Sequence, residues 1–145
     1  MKKAQTAPKV IVIIDDDLWV LEAMSGLLKS WGHKVVSAAT DDAALDQLAE
    51  SRQRPDLIIC DYRLADGRIG IDAIERMRKA FGPPAFLITA EAAPRPLAEA
   101  GARQYLMLNK PVDPTTLHAM VSQALEIGDI PHEHYATGTR PTLAL

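Results

Sequence analysis

One segment constrains this chain more than any other. Val10-Ile11-Val12-Ile13-Ile14 is an unbroken run of β-branched residues, and Asp15-Asp16-Asp17 follow it at once. A strand with one face in water alternates apolar and polar residues, whereas a run with no polar position must be covered on both faces. The chain therefore needs a sheet with helices on either side. Related runs recur at Asp56-Leu57-Ile58-Ile59-Cys60-Asp61, at Ala85-Phe86-Leu87-Ile88 and at Tyr105-Leu106-Met107-Leu108-Asn109, with a shorter strand from Lys34 to Ala38.

Amphipathic segments separate these runs. Val20, Met24, Leu27, Leu28 and Trp31 recur at helical spacing, and Gly32 closes that helix. Thr40 is an N-cap for a helix carrying Ala44, Leu45 and Leu48. Residues 62–70 read as a loop in which Gly67 and Gly70 supply turn freedom. Ile71, Ile74, Met77 and Phe81 form the stripe of a third helix, broken by Gly82-Pro83. Pro94 and Pro96 allow only a short turn of helix before Gly101. Asp113 caps and Pro114 opens a last helix lined by Leu117, Met120, Val121, Ala124 and Leu125. Five strands alternating with five helices predict an α/β fold, a doubly wound parallel sheet. One domain is expected over 9–127, with a flexible N-terminus at 1–8 and a loose tail at 128–145.

Composition narrows the function classes. Sixteen Lys and Arg against 19 Asp and Glu give a net charge of −3, with no basic stripe and with aromatics that do not interleave with cations. Direct nucleic-acid binding is not expected. The longest apolar stretch is Val10–Ile14, far short of the ~20 residues a membrane span needs, and Met1 to Lys9 hold no apolar leader segment. The single Cys60 fits a reducing compartment, so the expected location is cytoplasmic.

In a parallel sheet the carboxyl ends of the strands share one crevice. Asp15, Asp16 and Asp17 follow strand one, Asp61 ends strand three, Thr89 ends strand four and Lys110 follows strand five. Clustered carboxylates repel, and a hard divalent cation such as magnesium relieves that repulsion through oxygen ligands. A lysine opposite the acids neutralises an anionic substrate, and a hydroxyl donates to its oxygens. Together these groups describe phosphoryl handling. There is no G-x-x-x-x-G-K-[ST] loop and no G-x-G-x-x-G after strand one, so nucleotide binding is unsupported. Asp17 reads as a helix cap and Cys60 as a buried thiol without a redox role. His33, His118, His132 and His134 form no zinc pattern, and His132-Glu133-His134 reads as tail.

The segments Ile13-Ile14-Asp15-Asp16-Asp17, Asp56-Leu57-Ile58-Ile59-Cys60-Asp61-Tyr62-Arg63-Leu64, Leu87-Ile88-Thr89-Ala90 and Leu108-Asn109-Lys110-Pro111-Val112 resemble the CheY-like receiver domains of two-component response regulators. The match runs from about Val10 to Ile127. The loop from Asp61 through Gly67, Gly70 and Asp72-Ala73-Ile74 is similar to receivers attached to hybrid sensor histidine kinases. The resemblance implies a flavodoxin-like (βα)5 fold with strand order 2-1-3-4-5. It implies a phosphoacceptor module that catalyses its own phosphorylation and dephosphorylation, with Asp61 taking the phosphoryl group from a phosphohistidine. Asp16, Asp61 and the backbone carbonyl of Arg63 would ligate Mg2+ (Mn2+ being an alternative), with Asp15 acting through water. Lys110, Thr89 and the backbone amide of Ala90 would contact the phosphoryl group, and the Lys110–Pro111 bond would be cis.

The implied partners are a sensor histidine kinase or histidine phosphotransfer domain and an unknown downstream protein, met at the face of the fourth and fifth helices and fifth strand. Part of the last helix could also serve a homodimer. With nothing but a short tail after Ile127, no DNA-binding output domain is expected, and output passes through partner binding or phosphorelay. Two positions depart from the family. Leu18 replaces a frequent proline, and Met107 replaces the switch aromatic, with Tyr105 two residues earlier on the same strand face. Met107 is expected to fill the space that Thr89 vacates.

Two other classes compete. Asp15-x-Asp17 is formally the D-x-D of a magnesium-dependent phosphatase of the haloacid dehalogenase type, but Trp19 stands where threonine or valine belongs and Asp61 would have no role. A phosphate-independent interaction domain would have no use for the intact acid set, Thr89 and Lys110.

Overall fold

A computed structural model of the chain describes residues 8–90 and 105–127. The elements are β1 (Val10–Ile14), α1 (Leu18–Ser30), β2 (Lys34–Ala38), α2 (Asp41–Ser51), β3 (Leu57–Asp61), a 3-10 turn (Ala65–Gly67), α3 (Gly70–Phe81), β4 (Ala85–Thr89), β5 (Leu106–Asn109) and α4 (Pro114–Ile127). The proline-interrupted segment before Gly101, the N-terminus up to Ala7 and the tail with His132 and His134 lie outside the described residues.

The five strands form one parallel sheet in the order β2-β1-β3-β4-β5. Order reverses at β1, so the crevice above β1 and β3 is the switch point of the sheet. Every residue of β1, β3 and β4 is buried. Ile58, Cys60 and Leu87 pack with Ala44 and Leu48 of α2 and with Ile71, Ile74 and Met77 of α3. Ile11, Ile13, Ile59 and Ile88 pack with Leu21, Met24 and Leu28 of α1 and with Leu117, Met120, Val121 and Ala124 of α4. Among the described residues two helices thus cover each face, which is why those strands carry no polar interior positions.

The caps are local. Asp17 accepts from the amides of Trp19 and Val20 at the start of α1. Thr40 accepts from Ala43 N at 3.0 Å and opens α2, and Asp113 accepts from Thr116 N at 2.9 Å ahead of α4. Two strand boundaries and one helix face differ from the sequence reading. Asp56 is not in β3: its carboxylate accepts from Val10 N at 2.8 Å, and its own amide donates to Val10 O, pinning the start of β1. Tyr105 precedes β5. The buried stripe of α1 centres on Leu21, Met24 and Leu28, with Val20, Leu27 and Trp31 at its edge.

Gly70 serves a purpose other than turn freedom. Gly67 takes a left-handed φ of 74°, but Gly70 opens α3 with no such need. A β-carbon built on Gly70 would collide with the carbonyl oxygen of Asp61 and press against Cys60 Sγ. The missing side chain lets α3 start directly against the end of β3, where Gly70 N donates to Tyr62 O at 2.6 Å.

Candidate functional site

The site is built from residues that follow or end strands, each held by one more rung of the parallel ladder. Asp15 N donates to Ala38 O at 3.1 Å, Tyr62 N to Ile88 O at 2.7 Å and Lys110 N to Thr89 O at 2.8 Å. The backbone that carries the site is therefore as fixed as the sheet itself.

Three carboxylates meet there. Asp15, Asp16 and Asp61 each offer an oxygen, all within 4.8 Å of one another. Asp15 is buried, Asp61 is 8% exposed and Asp16 is open to solvent. Asp15 Oδ1 accepts from Asp17 N at 2.9 Å, which turns its other oxygen inward. Lys110 Nζ lies 3.1 Å from Asp15 Oδ2 and 3.3 Å from Asp61 Oδ2, bridging the first and third strands from beyond the fifth.

The electrostatics follow from this packing. Burial raises the Asp61 pKa most, Asp15 raises it further, Lys110 opposes them and Asp16 adds a smaller upward push, which brings it to about 6. Burial works against the charge on Lys110, but Asp15 and Asp61 outweigh it and hold the ammonium above its ordinary value. Three carboxylates face one ammonium, so two negative charges lack a partner within the cluster. Oxygen-only donors, two uncompensated charges and an accessible Asp16 on the rim fit a hard divalent ion.

The other expected site residues are placed as follows. Thr89 is buried at the end of β4, Ala90 follows it in the open, and Arg63 is an exposed residue of the loop after β3. The Lys110–Pro111 peptide is cis. Met107 pairs in register with Leu87 and packs against the α2–α3 side of the core, the side that also holds Tyr105. Tyr105 does not join the acid cluster. It is buried at the opposite end of β5 from Lys110, donates its hydroxyl to Glu75 Oε2 on α3 at 3.3 Å, and lies under the Arg78 guanidinium. Cys60 is buried, and burial holds its thiol well above the usual value, as an inert core residue would be.

One feature escaped the sequence reading. Asp41, the first residue of α2, is fully buried. Its Oδ1 accepts from Arg68 Nη2 at 2.8 Å and its Oδ2 from Arg76 Nη1 at 3.0 Å, while Arg76 also reaches Asp42. Burial disfavours the Asp41 charge, but Arg76 and Arg68 more than offset that and hold its carboxyl below the ordinary range. Both arginines lie far along the chain, so the spacing of the acids carried no signal of the pair.

The described residues include no helix long and apolar enough to cross a membrane. The profile of the response regulator receiver domain family matches residues 11–122. The chain is 32% identical over 122 residues to the phyllosphere-induced regulator PhyR of Methylorubrum extorquens, covering 84% of this chain and 45% of that protein. It is 34% identical over 122 residues to the transcriptional regulatory protein ZraR of Escherichia coli, covering 79% of this chain and 26% of that protein. It thus spans less than half the length of these two relatives. Among solved structures, the PhyR receiver domain of Erythrobacter litoralis superposes with a TM-score of 0.73 at 31% identity, covering 86% of this chain and 95% of that one. The anti-anti-sigma factor PhyR of Bartonella quintana gives 0.69 at 30% identity, covering 86% and 50%.

Proposed function

This chain belongs to the receiver domain family of two-component response regulators, and from that footing we propose that Asp61 accepts a phosphoryl group from a phosphohistidine in a magnesium-dependent reaction. The observation that carries the reading is the convergence of Asp15, Asp16 and Asp61 on Lys110 at the switch point of a parallel sheet.

The roles follow from position. An Asp61 carboxylate oxygen attacks phosphorus, an O–P bond forms, and the P–N bond to imidazole breaks with its electron pair returning to nitrogen. Lys110 already touches Asp61 and stays cationic, so it holds the nucleophile and offers charge to the incoming phosphoryl oxygens. The Thr89 hydroxyl and the Ala90 amide, at the neighbouring strand end, are the remaining donors. Asp16, Asp61 and the Arg63 carbonyl would hold Mg2+, or Mn2+ in its place, with Asp15 acting through water. The ion, when bound, neutralises the carboxylate charge that would repel an anionic donor. Met107, on the Thr89 face of the sheet, repacks as that hydroxyl turns toward the phosphoryl group. Tyr105, tied to Glu75, stays a packing residue. The donor would be a sensor histidine kinase or a histidine phosphotransfer domain. Output would pass to a partner protein at the β5 side of the sheet or onward by phosphorelay.

Beryllofluoride, a phosphoryl mimic, tests this. Calorimetric titration in the presence of Mg2+ is expected to show one saturable site, lost in metal-free buffer and in Asp61→Asn. Saturation that persists in Asp61→Asn would overturn the assignment.

A further inference from the structure

We propose that Arg68, anchored by the buried carboxylate of Asp41, is a positioning residue that sets the orientation of the Arg63 carbonyl. The inference rests on the reading above, in which that carbonyl is a metal ligand.

The loop between β3 and α3 enters the core through Leu64, which is buried, with Ile69 packed at the edge of the same cluster. Arg63, Ala65, Asp66, Gly67 and Arg68 are all exposed. Asp66 and Gly67 both sit in the left-handed region, with φ of 63° and 74°, so the loop doubles back on itself. An isolated antiparallel bridge pairs Arg63 with Ile69. Within it, Leu64 N donates to Arg68 O at 2.9 Å. That amide and the Arg63 carbonyl belong to the same peptide group. A trans peptide is planar, with its N–H and C=O pointing in opposite directions. Wherever the Arg68 carbonyl sits, the Leu64 N–H aims at it and the Arg63 oxygen aims away from it.

Asp41 fixes where Arg68 sits. Its Oδ1 accepts from the Arg68 guanidinium at 2.8 Å, from the first turn of a helix that is packed into the core. α2 does not need a buried acid for its own sake: Thr40 already caps it, and Asp42 already places an exposed charge at its positive end. Burying a carboxylate is costly, and an apolar pair would stabilise as well or better. What a buried ion pair supplies is a defined location for its partner. Arg76 shares Asp41 from the helix side, binding Oδ2 at 3.0 Å, and has no link to the loop. It is therefore a built-in control: it stabilises the same carboxylate without touching the Arg63 peptide.

The test uses the full chain and Mn2+ as probe, with the free ion followed by electron paramagnetic resonance. Arg68→Ala is expected to weaken Mn2+ binding about tenfold, the lower end of what outer-sphere partners of metal sites contribute. Arg68→Lys restores part of it. Arg76→Ala lowers the denaturation midpoint but leaves Mn2+ affinity within about twofold. Amide exchange at Leu64 accelerates in Arg68→Ala and not in Arg76→Ala. Should Arg68→Ala fail to fold, Arg68→Gln carries the same readouts. Unchanged Mn2+ affinity in the Arg68 variant, or an equal loss in the Arg76 variant, overturns the positioning role alone. Absence of Mn2+ binding by the wild type overturns the metal reading and this role together.

Discussion

Gly70→Ala is expected to destabilise the protein by about 3 kcal/mol or more, the upper range for forcing an extra carbon into a packed site. The sign is informative because helix propensity predicts the opposite: alanine in a helix is favoured over glycine by about 1 kcal/mol. Here the added carbon meets the Asp61 carbonyl, a backbone group with no rotamer to give way. Either α3 lifts from the end of β3, breaking the Gly70 N to Tyr62 O bond, or β3 shifts and carries Asp61 with it. Both outcomes disturb the acid cluster, so Mg2+ affinity should fall along with the urea midpoint. Stability within about 0.5 kcal/mol of wild type, the ordinary range for an innocuous surface change, would show that the contact is not tight.

Asp61→Asn is expected to act in the other direction. In the metal-free protein the Asp61 pKa is raised from 3.8 to about 6, so the folded state holds that proton more tightly than the unfolded chain does. Stability from this group is then full below the unfolded value and is lost as pH rises through the folded one. The loss is of the order of 1–3 kcal/mol by pH 7, at about 1.4 kcal/mol per pKa unit with allowance for coupling to its neighbours. Asparagine does not ionise and avoids it. Of the other groups, His33 has its pKa lowered by desolvation first and then by His118, and Asp41, with its pKa lowered, titrates below this window. Their contributions are common to both proteins. The difference between variant and wild type, followed by urea denaturation in chelator, should therefore open between about pH 4 and pH 7. Saturating Mg2+ should narrow or reverse it by stabilising the wild type through binding. A difference that is flat with pH would mean that Asp61 is not held among uncompensated carboxylates.

The parts of the fold that were legible in the sequence are those governed by one dominant force. Runs such as Val10–Ile14 and Ala85–Ile88 have no polar position and admit only a strand covered on both sides. Asp17, Thr40 and Asp113 cap helices by contacts within three residues, which spacing reveals. Periodicity does not order strands, and the 2-1-3-4-5 sequence was carried by the resemblance of four motifs. The acid cluster was legible for a topological reason: in a parallel sheet the residues after each strand share one edge, so Asp15, Asp16, Asp61 and Lys110 needed no long-range contact to be inferred.

What stayed hidden depended on pairs far apart in the chain. Asp41 and Asp42 look alike in sequence, yet only Asp41 is buried, because Arg68 and Arg76 arrive from another segment to neutralise it. Asp56 reads as the start of a strand, but its carboxylate is spent on the Val10 amide. Gly70 reads as a turn glycine; that it makes room for a neighbouring carbonyl is visible only once β3 and α3 are in contact. Tyr105 shares the Met107 side of the core as its spacing predicts, while its hydroxyl is taken by Glu75 on α3.

The most direct measurement is the intact mass of the chain after incubation with acetyl phosphate, with and without Mg2+. One added phosphoryl group is expected on the wild type, none without the metal and none on Asp61→Asn. A metal-independent adduct, or one that survives in Asp61→Asn, would contradict a phosphoryl-accepting site built by the ends of β1, β3 and β5.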